Sequence, residues 1–284
     1  MAYVNNVAAL NPQNWSDMIQ ENLHKELVAM KIADVKLKSN ISNGTVVHFP
    51  YFGSLSTTAY VKGTDVTVQA LASTDEYLTI DQQWESSFYL DTVDKKQNLY
   101  SAMEAGVREA SDAIKQKIET VFFAEVTNAA ADLTNADLAA GGTGKITLTT
   151  NNVIEVFSVA RAKLGKALKG KRAVAVVSYA VASVIEQKAA SAGFNIQDAA
   201  LKNGYAGDFL GFQIYVSENL DTTGTQTHCY IGAAESISLA MQIAPTTKID
   251  SDPLKFGDVV KLLSVFGVKT FTRGADRFLD MLIS

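Results

Sequence analysis

YVKGTDVTVQALASTDEYLTIDQQWESSFYLDTVDKKQ, residues 60–97, is the stretch on which the fold turns. Val, Thr and Tyr are dense along it, as strand-forming sequence requires, and Lys62-Gly63-Thr64 supplies a turn. Its first half, through Ile80, carries few large apolar side chains with which to build a core. A two-stranded hairpin is marginal alone in water. This one is therefore expected to project and to find its stabilising contacts on another chain. The expected tip is Tyr60, Lys62, Gly63, Thr64 and Asp65, with Gly63 suited to the positive φ of a tight hairpin turn.

Beyond the hairpin the apolar period lengthens from two residues to between three and four. Asp94 is a credible N-cap, with Gln97 placed as a capping-box partner. Leu99, Met103, Val107, Ala110, Ile114, Ile118 and Val121 then form one stripe, and Arg108, Glu109, Asp112, Lys115 and Glu119 fall mostly off it. The pattern predicts a helix from about Lys95 to Asn128, roughly 50 Å long at about 1.5 Å per residue. One stripe on so long a helix implies a strut lying across a sheet, with Leu99, Met103, Val107, Ile114 and Ile118 as its contact line.

On the N-terminal side, residues 1–12 are small, polar and aperiodic, and read as an extended arm. Ser16 or Asn14 can cap a short amphipathic helix through about Met30. TVVHFPYFG, AYVKGTDVTVQAL, EYLTIDQQW and SSFYLD read as strands. After a Gly-rich connection at Gly141–Gly144, the chain alternates: a helix over Asn152–Leu168, a strand RAVAVVS at Arg172–Ser178, a helix over about Tyr179–Ala190, and a strand FLGFQIYVS. HCYIGAAES, SLAMQIA, TKIDSDP and DVVKLLSVFGVKTF close the chain with strands. The class is mixed α+β, divided into 1–40 (arm and short helix), 41–93 (hairpin region), 94–149 (long helix and its domain), 150–228 (a second domain) and 229–284 (returning strands).

Composition narrows function. The 284 residues are 47% hydrophobic and 19% charged, which is globular, and the net charge of −5 argues against a dedicated nucleic-acid binder. One cysteine, Cys229, allows no intrachain disulfide. No basic, apolar secretion signal opens the sequence, and no apolar run approaches the roughly 20 residues that span a bilayer. Synthesis in a cytoplasm is the expectation.

Searches for chemistry return ordinary structure. Gly144-Lys145 lacks the Ser or Thr of a phosphate loop, since Ile146 follows, and it leads into a strand. His24, His48 and His228 have no zinc spacing, and His228-Cys229, adjacent on a strand, point to opposite faces. Cys229 is expected to be buried and His228 its exposed neighbour. No GxSxG nucleophile elbow occurs, and Asp250-Ser251-Asp252-Pro253 reads as a turn rather than a calcium loop. Arg161, Lys163, Lys166, Lys169, Lys171 and Arg172 form the one basic cluster. It reads first as a solvated helix end, then as a contact with acidic residues of a neighbouring subunit, and last as a DNA contact. No catalytic residue, cofactor or metal site is expected.

Four stretches in this order resemble the HK97-type phage capsid fold: residues 60–97, with LTIDQQ and Asp-x-x-Asp-Lys-x-Gln; GDFLGFQIYVSENL at 207–220; CYIGAAESISLAMQI at 229–243; and FGDVVKLLSVFGVKTF at 256–271, which includes Phe266-Gly267-Val268-Lys269. The resemblance implies an N-terminal arm, an extended hairpin called the E-loop, a spine helix, an axial domain and a return to a peripheral domain. The third stretch implies a strand and a short helix. It further implies a major capsid protein of a tailed bacteriophage that assembles as pentamers and hexamers into an icosahedral shell. Its partners would be copies of itself, a separate scaffolding protein, a portal and possible cement proteins, with at most weak non-specific contact with packaged DNA and none with membrane. Its place would be the virion. No matched environment supports covalent cross-linking, and Lys62 reads as solvated or ion-paired. An encapsulin-type nanocompartment shell shares the fold and is the alternative; a soluble α+β enzyme is the alternative from another class.

Overall fold

A computed structural model describes residues 28–35, 44–66, 68–97, 102–139, 141–191, 205–251 and 255–284. The expected N-terminal arm and most of the first helix lie outside these residues, as do Leu99 and the 252–254 part of the expected Asp/Ser/Pro turn. In chain order come α1 (Val28–Ile32), β1 (Val46–Phe52), β2 (Ser73–Thr79), β3 (Gln82–Asp91), α2 (Thr92–Gln97), α3 (Ala102–Ala124) and β4 (Asp132–Leu133). Then follow α4 (Val153–Leu164), β5 (Ala173–Val177), α5 (Tyr179–Ser191), β6 (Tyr205–Phe209), β7 (Phe212–Val216), β8 (Thr222–Thr223) and β9 (Gln226–Ala233). The last are β10 (Ser238–Ser251), β11 (Gly257–Lys269), α6 (Thr272–Ala275) and β12 (Phe278–Ile283).

These strands make three sheets. β1 and β2 form an antiparallel pair, with Val46 opposite Thr79 and Phe52 opposite Ser73. β10, β11 and β3 form a long antiparallel sheet in that order, and α3 packs against all three. The third sheet runs β4-β12-β9-β5-β7-β6, with β8 added on β9. There β5 and β7 are parallel, joined through α5, while β5 and β12 both pair antiparallel with β9. One continuous core joins α3 (Val107, Ile114, Ile118, Phe122), the third sheet (Val174, Val176, Cys229) and the long sheet (Val260, Leu262). A smaller cluster of Leu78, Ile80, Ala240 and Val265 sits under the base of the β1–β2 pair.

Several expectations change in detail. The described parts of the helical run are α2, which begins at Thr92 rather than Lys95, and α3, followed by a 3-10 turn at Glu125–Asn128; residues 98–101 between them lie outside the described residues. The described residues of AYVKGTDVTVQAL form no strand; residues 53–66 and 68–72 lead out from the β1–β2 pair and back as an excursion. FLGFQIYVS is two strands, because Leu210 and Gly211 take φ of 48° and 85° and turn the chain back as a tight hairpin. SLAMQIA and TKIDS are one strand, β10, continuous through register shifts between Met241 and Thr246. A turn with Glu235 at φ 63° links β9 to β10, where the resemblance implied a short helix. α4 ends at Leu164, earlier than expected, in irregular turns before β5.

Candidate assembly surface

The hairpin arm is built from its base outward. Beyond the β1–β2 pair, Gly53 N–H donates to Ala72 C=O at 2.9 Å, and Gln69 Nε2 donates to Ser56 C=O at 2.7 Å while its Oε1 accepts Ser56 N–H at 3.1 Å. At the tip Thr64 N–H and Thr64 Oγ1 both donate to Val61 C=O, and Gly63 has φ of 90°. Tyr60, Lys62, Gly63, Thr64 and Asp65 lie together at this exposed end. The arm also leaves Leu55, Val61, Val66, Val68 and Leu71 uncovered, and Val68 is 90% exposed. Local hydrogen bonds thus hold the shape of the arm, and among the described residues no apolar packing covers these side chains.

The base is fastened firmly. Glu76 accepts hydrogen bonds from Thr272 N–H and Oγ1. Arg273 donates to Phe52 C=O and stacks over the Tyr51 ring at 4.9 Å, and Phe49 meets Phe271 edge-on at 5.0 Å. β11 passes so close that a Cβ on Gly267 would stand 2.3 Å from Thr79 O.

Along α3, Val107, Ile114 and Ile118 are buried and Met103 is half-buried. Lys115 and Glu119, expected off the stripe, are buried too. The helix is covered on a second side by α1 and by the loop after β7. Glu119 accepts Val28 N–H at 2.8 Å, Ser217 Oγ at 3.2 Å and Asn219 Nδ2 at 2.8 Å, which ties two distant segments to one carboxylate. Lys115 pairs with Asp112 at 2.7 Å.

His228 is the clearest correction: it is buried, not exposed. It lies one position from Cys229 on β9, and side chains of the flanking strands β8 and β12 close around its ring. His228 Nδ1 lies 2.6 Å from Asp280 Oδ2, and Nε2 lies 3.1 Å from Thr223 Oγ1. Asp280 Oδ1 is buried without a hydrogen-bond partner among the described residues, and burial pushes this carboxyl up to about 6. Cys229 is buried as expected, and burial pushes its thiol up to about 12. Four of the six residues of the basic cluster have in-chain tasks: Arg161 donates to Leu210 C=O, Lys163 pairs with Asp137, Lys171 pairs with Glu235 and Arg172 donates to Lys31 C=O. Among the described residues no group of three or more His, Cys, Asp or Glu side chains is placed to hold a metal, and no helix is long and apolar enough to cross a membrane.

A long helix across a long antiparallel sheet, a second mixed sheet and a projecting hairpin define an HK97-like capsid fold, and solved structures match it. One from Mycobacterium phage Che8 is 22% identical with a TM-score of 0.70, covering 91% of each chain. The capsid of Cyanophage P-SCSP1u is 16% identical with a TM-score of 0.68, covering 89% of this chain and 86% of its own. The capsid of a native GTA particle is 10% identical with a TM-score of 0.63, covering 92% and 90%. No curated protein matches the sequence. A family model described as "Phage capsid protein" matches residues 87–275, and the chain belongs to that family. It is a major capsid protein, a structural protein of the virion that forms the head shell from many copies of itself. The nanocompartment and enzyme alternatives draw no support from these matches.

Proposed function

We propose that the subunit associates into pentamers and hexamers, with its 53–72 arm laid over an adjacent copy. The observation that carries this is the arm itself: a hairpin with a fastened root whose Leu55, Tyr60, Val66, Val68 and Leu71 are left uncovered by the described residues. Burying such side chains is worth about 1.5–3 kcal/mol each, and repetition by symmetry makes weak contacts collective. On this reading Tyr60, Lys62, Gly63, Thr64 and Asp65 touch the neighbour, and Met103, Val107, Ile114 and Ile118 hold the spine helix to its sheet. α3 with the long sheet is the peripheral domain, residues 150–228 are the axial domain, and 229–284 return strands to both. A separate scaffolding protein, a portal and cement proteins complete the partners, no group on the subunit acts as a catalyst, and synthesis is in the host cytoplasm.

The test replaces residues 54–71 by a two-residue turn joining Gly53 to Ala72. The expected subunit unfolds cooperatively, near the wild-type midpoint, but yields no closed shells by electron microscopy. Normal shells from this deletion would sink the reading.

A further inference from the structure

The turn after α4 faces the α6–β12 segment across an open groove of about 670 Å³, whose charged lining is Lys163, Lys166, Arg273, Arg277 and a single acid, Asp276. Two of the cations are engaged within the chain, Lys163 with Asp137 at 2.5 Å and Arg273 with the root of the arm. Lys166 and Arg277 have no side-chain partner among the described residues. Lys166 is exposed, whereas Arg277 is half-buried. An arginine that is half-buried with its stem packed and its head unpaired leaves the guanidinium free to take an anion from outside the chain. Its planar donors match a carboxylate two-point, and an ammonium beside it adds attraction at range.

We propose that this groove is an ion-pairing interface that receives a carboxylate-bearing segment of a second copy of this chain, a proposal resting on the shell reading above. Charge complementarity selects that occupant. The chain carries 30 Asp and Glu against 25 Lys and Arg, so each neighbouring copy brings a surplus of carboxylates to a locally positive groove. The groove already binds one carboxylate, that of Asp137, on Lys163. Asp276 on its rim opposes a run of phosphates, which disfavours nucleic acid as occupant. In a symmetric shell the same groove recurs on every subunit, and Arg273 links it to the arm root, so that seating a neighbour there bears on the direction of the arm.

Shells isolated from cells expressing the full chain are treated with a carbodiimide, which joins amines to touching carboxylates, and the bands are read by mass spectrometry. The expected product is Lys166 coupled to an Asp or Glu in the dimer band and absent from the monomer band; coupling of Lys166 in the monomer band alone overturns the proposal. In parallel, Lys166→Glu with Arg277→Glu is expected to keep the wild-type unfolding midpoint and to give roughly tenfold or more fewer shells. If that pair misfolds, Lys166→Gln with Arg277→Gln takes its place under the same criterion. Shells in normal number overturn the proposal and leave the shell reading standing, and normal shells depleted of nucleic acid reassign the groove to phosphate. A wild-type chain that forms no shells removes the shell reading and this proposal with it.

Discussion

Glu119 accepts the backbone N–H of Val28 at 2.8 Å across 91 residues of sequence, and the same carboxylate receives Asn219 at 2.8 Å. The spine helix is thereby joined to α1 on one side and to the third sheet on the other. Glu119→Ala removes the acceptor for the Val28 amide, the Ser217 hydroxyl and the Asn219 amide at a buried site. Leaving donors unpaired there costs about 2–4 kcal/mol in total. Glu119→Gln keeps one carbonyl oxygen and should lose less. Urea unfolding of the three proteins checks the order wild type, Gln, Ala.

Gly267→Ala should loosen the root of the arm. In β11 alanine is otherwise a mild change, but its Cβ would fall 2.3 Å from Thr79 O and 3.1 Å from Ile80 Cα, both backbone atoms that cannot step aside alone. Overpacking of this kind costs about 1–3 kcal/mol. Hydrogen exchange should report faster opening of the β1–β2 amides, and shell yield should fall. Unchanged protection of those amides would count against the close approach.

The His228–Asp280 pair predicts a pH dependence with a definite sign. The Asp280 carboxyl sits at about 6, chiefly because burial disfavours its charge, against an ordinary value of 3.8. Between those values the folded state holds a proton that the unfolded state releases. The contribution of Asp280 to stability is therefore fully present below about pH 4 and is lost as pH rises through about 6. Asp280→Asn removes this titration. The wild-type stability minus that of Asp280→Asn, measured by urea unfolding across this range, should fall with rising pH; a difference that rises with pH contradicts the assignment.

Cys229 should be silent in the folded protein. It is buried in β9, and its thiol at about 12 supplies almost no thiolate at neutral pH. A thiol-reactive dye added to native subunits should label it at the rate of unfolding, and labelling should become immediate in denaturant. Fast labelling of the native chain would show that β9 is less protected than its packing implies.

What was legible in the sequence was local. The three-to-four spacing of Val107, Ala110, Ile114 and Ile118 marks the inner side of α3, because a helix places those positions on one face. The density of Val, Thr and Tyr with few partners for a core marked the stretch from about Tyr60 to Ile80 as a projecting hairpin, and Gly63 marked its turn. The order of hairpin, spine helix and closing strands followed from the same patterns.

Only the tertiary structure decided the rest. Lys115 and Glu119 lie off the apolar stripe, yet both are buried because α1 and the Ser217–Asn219 loop arrive from far along the chain. His228 follows the alternation rule, but that rule says which side of a strand a residue faces and not what covers the side. The groove joins Lys166 to Arg277, and no local pattern could pair them. Periodicity reports the face that a segment must bury against something; which remote segment answers, and which charges are left facing outward together, is settled by the packing of the whole chain.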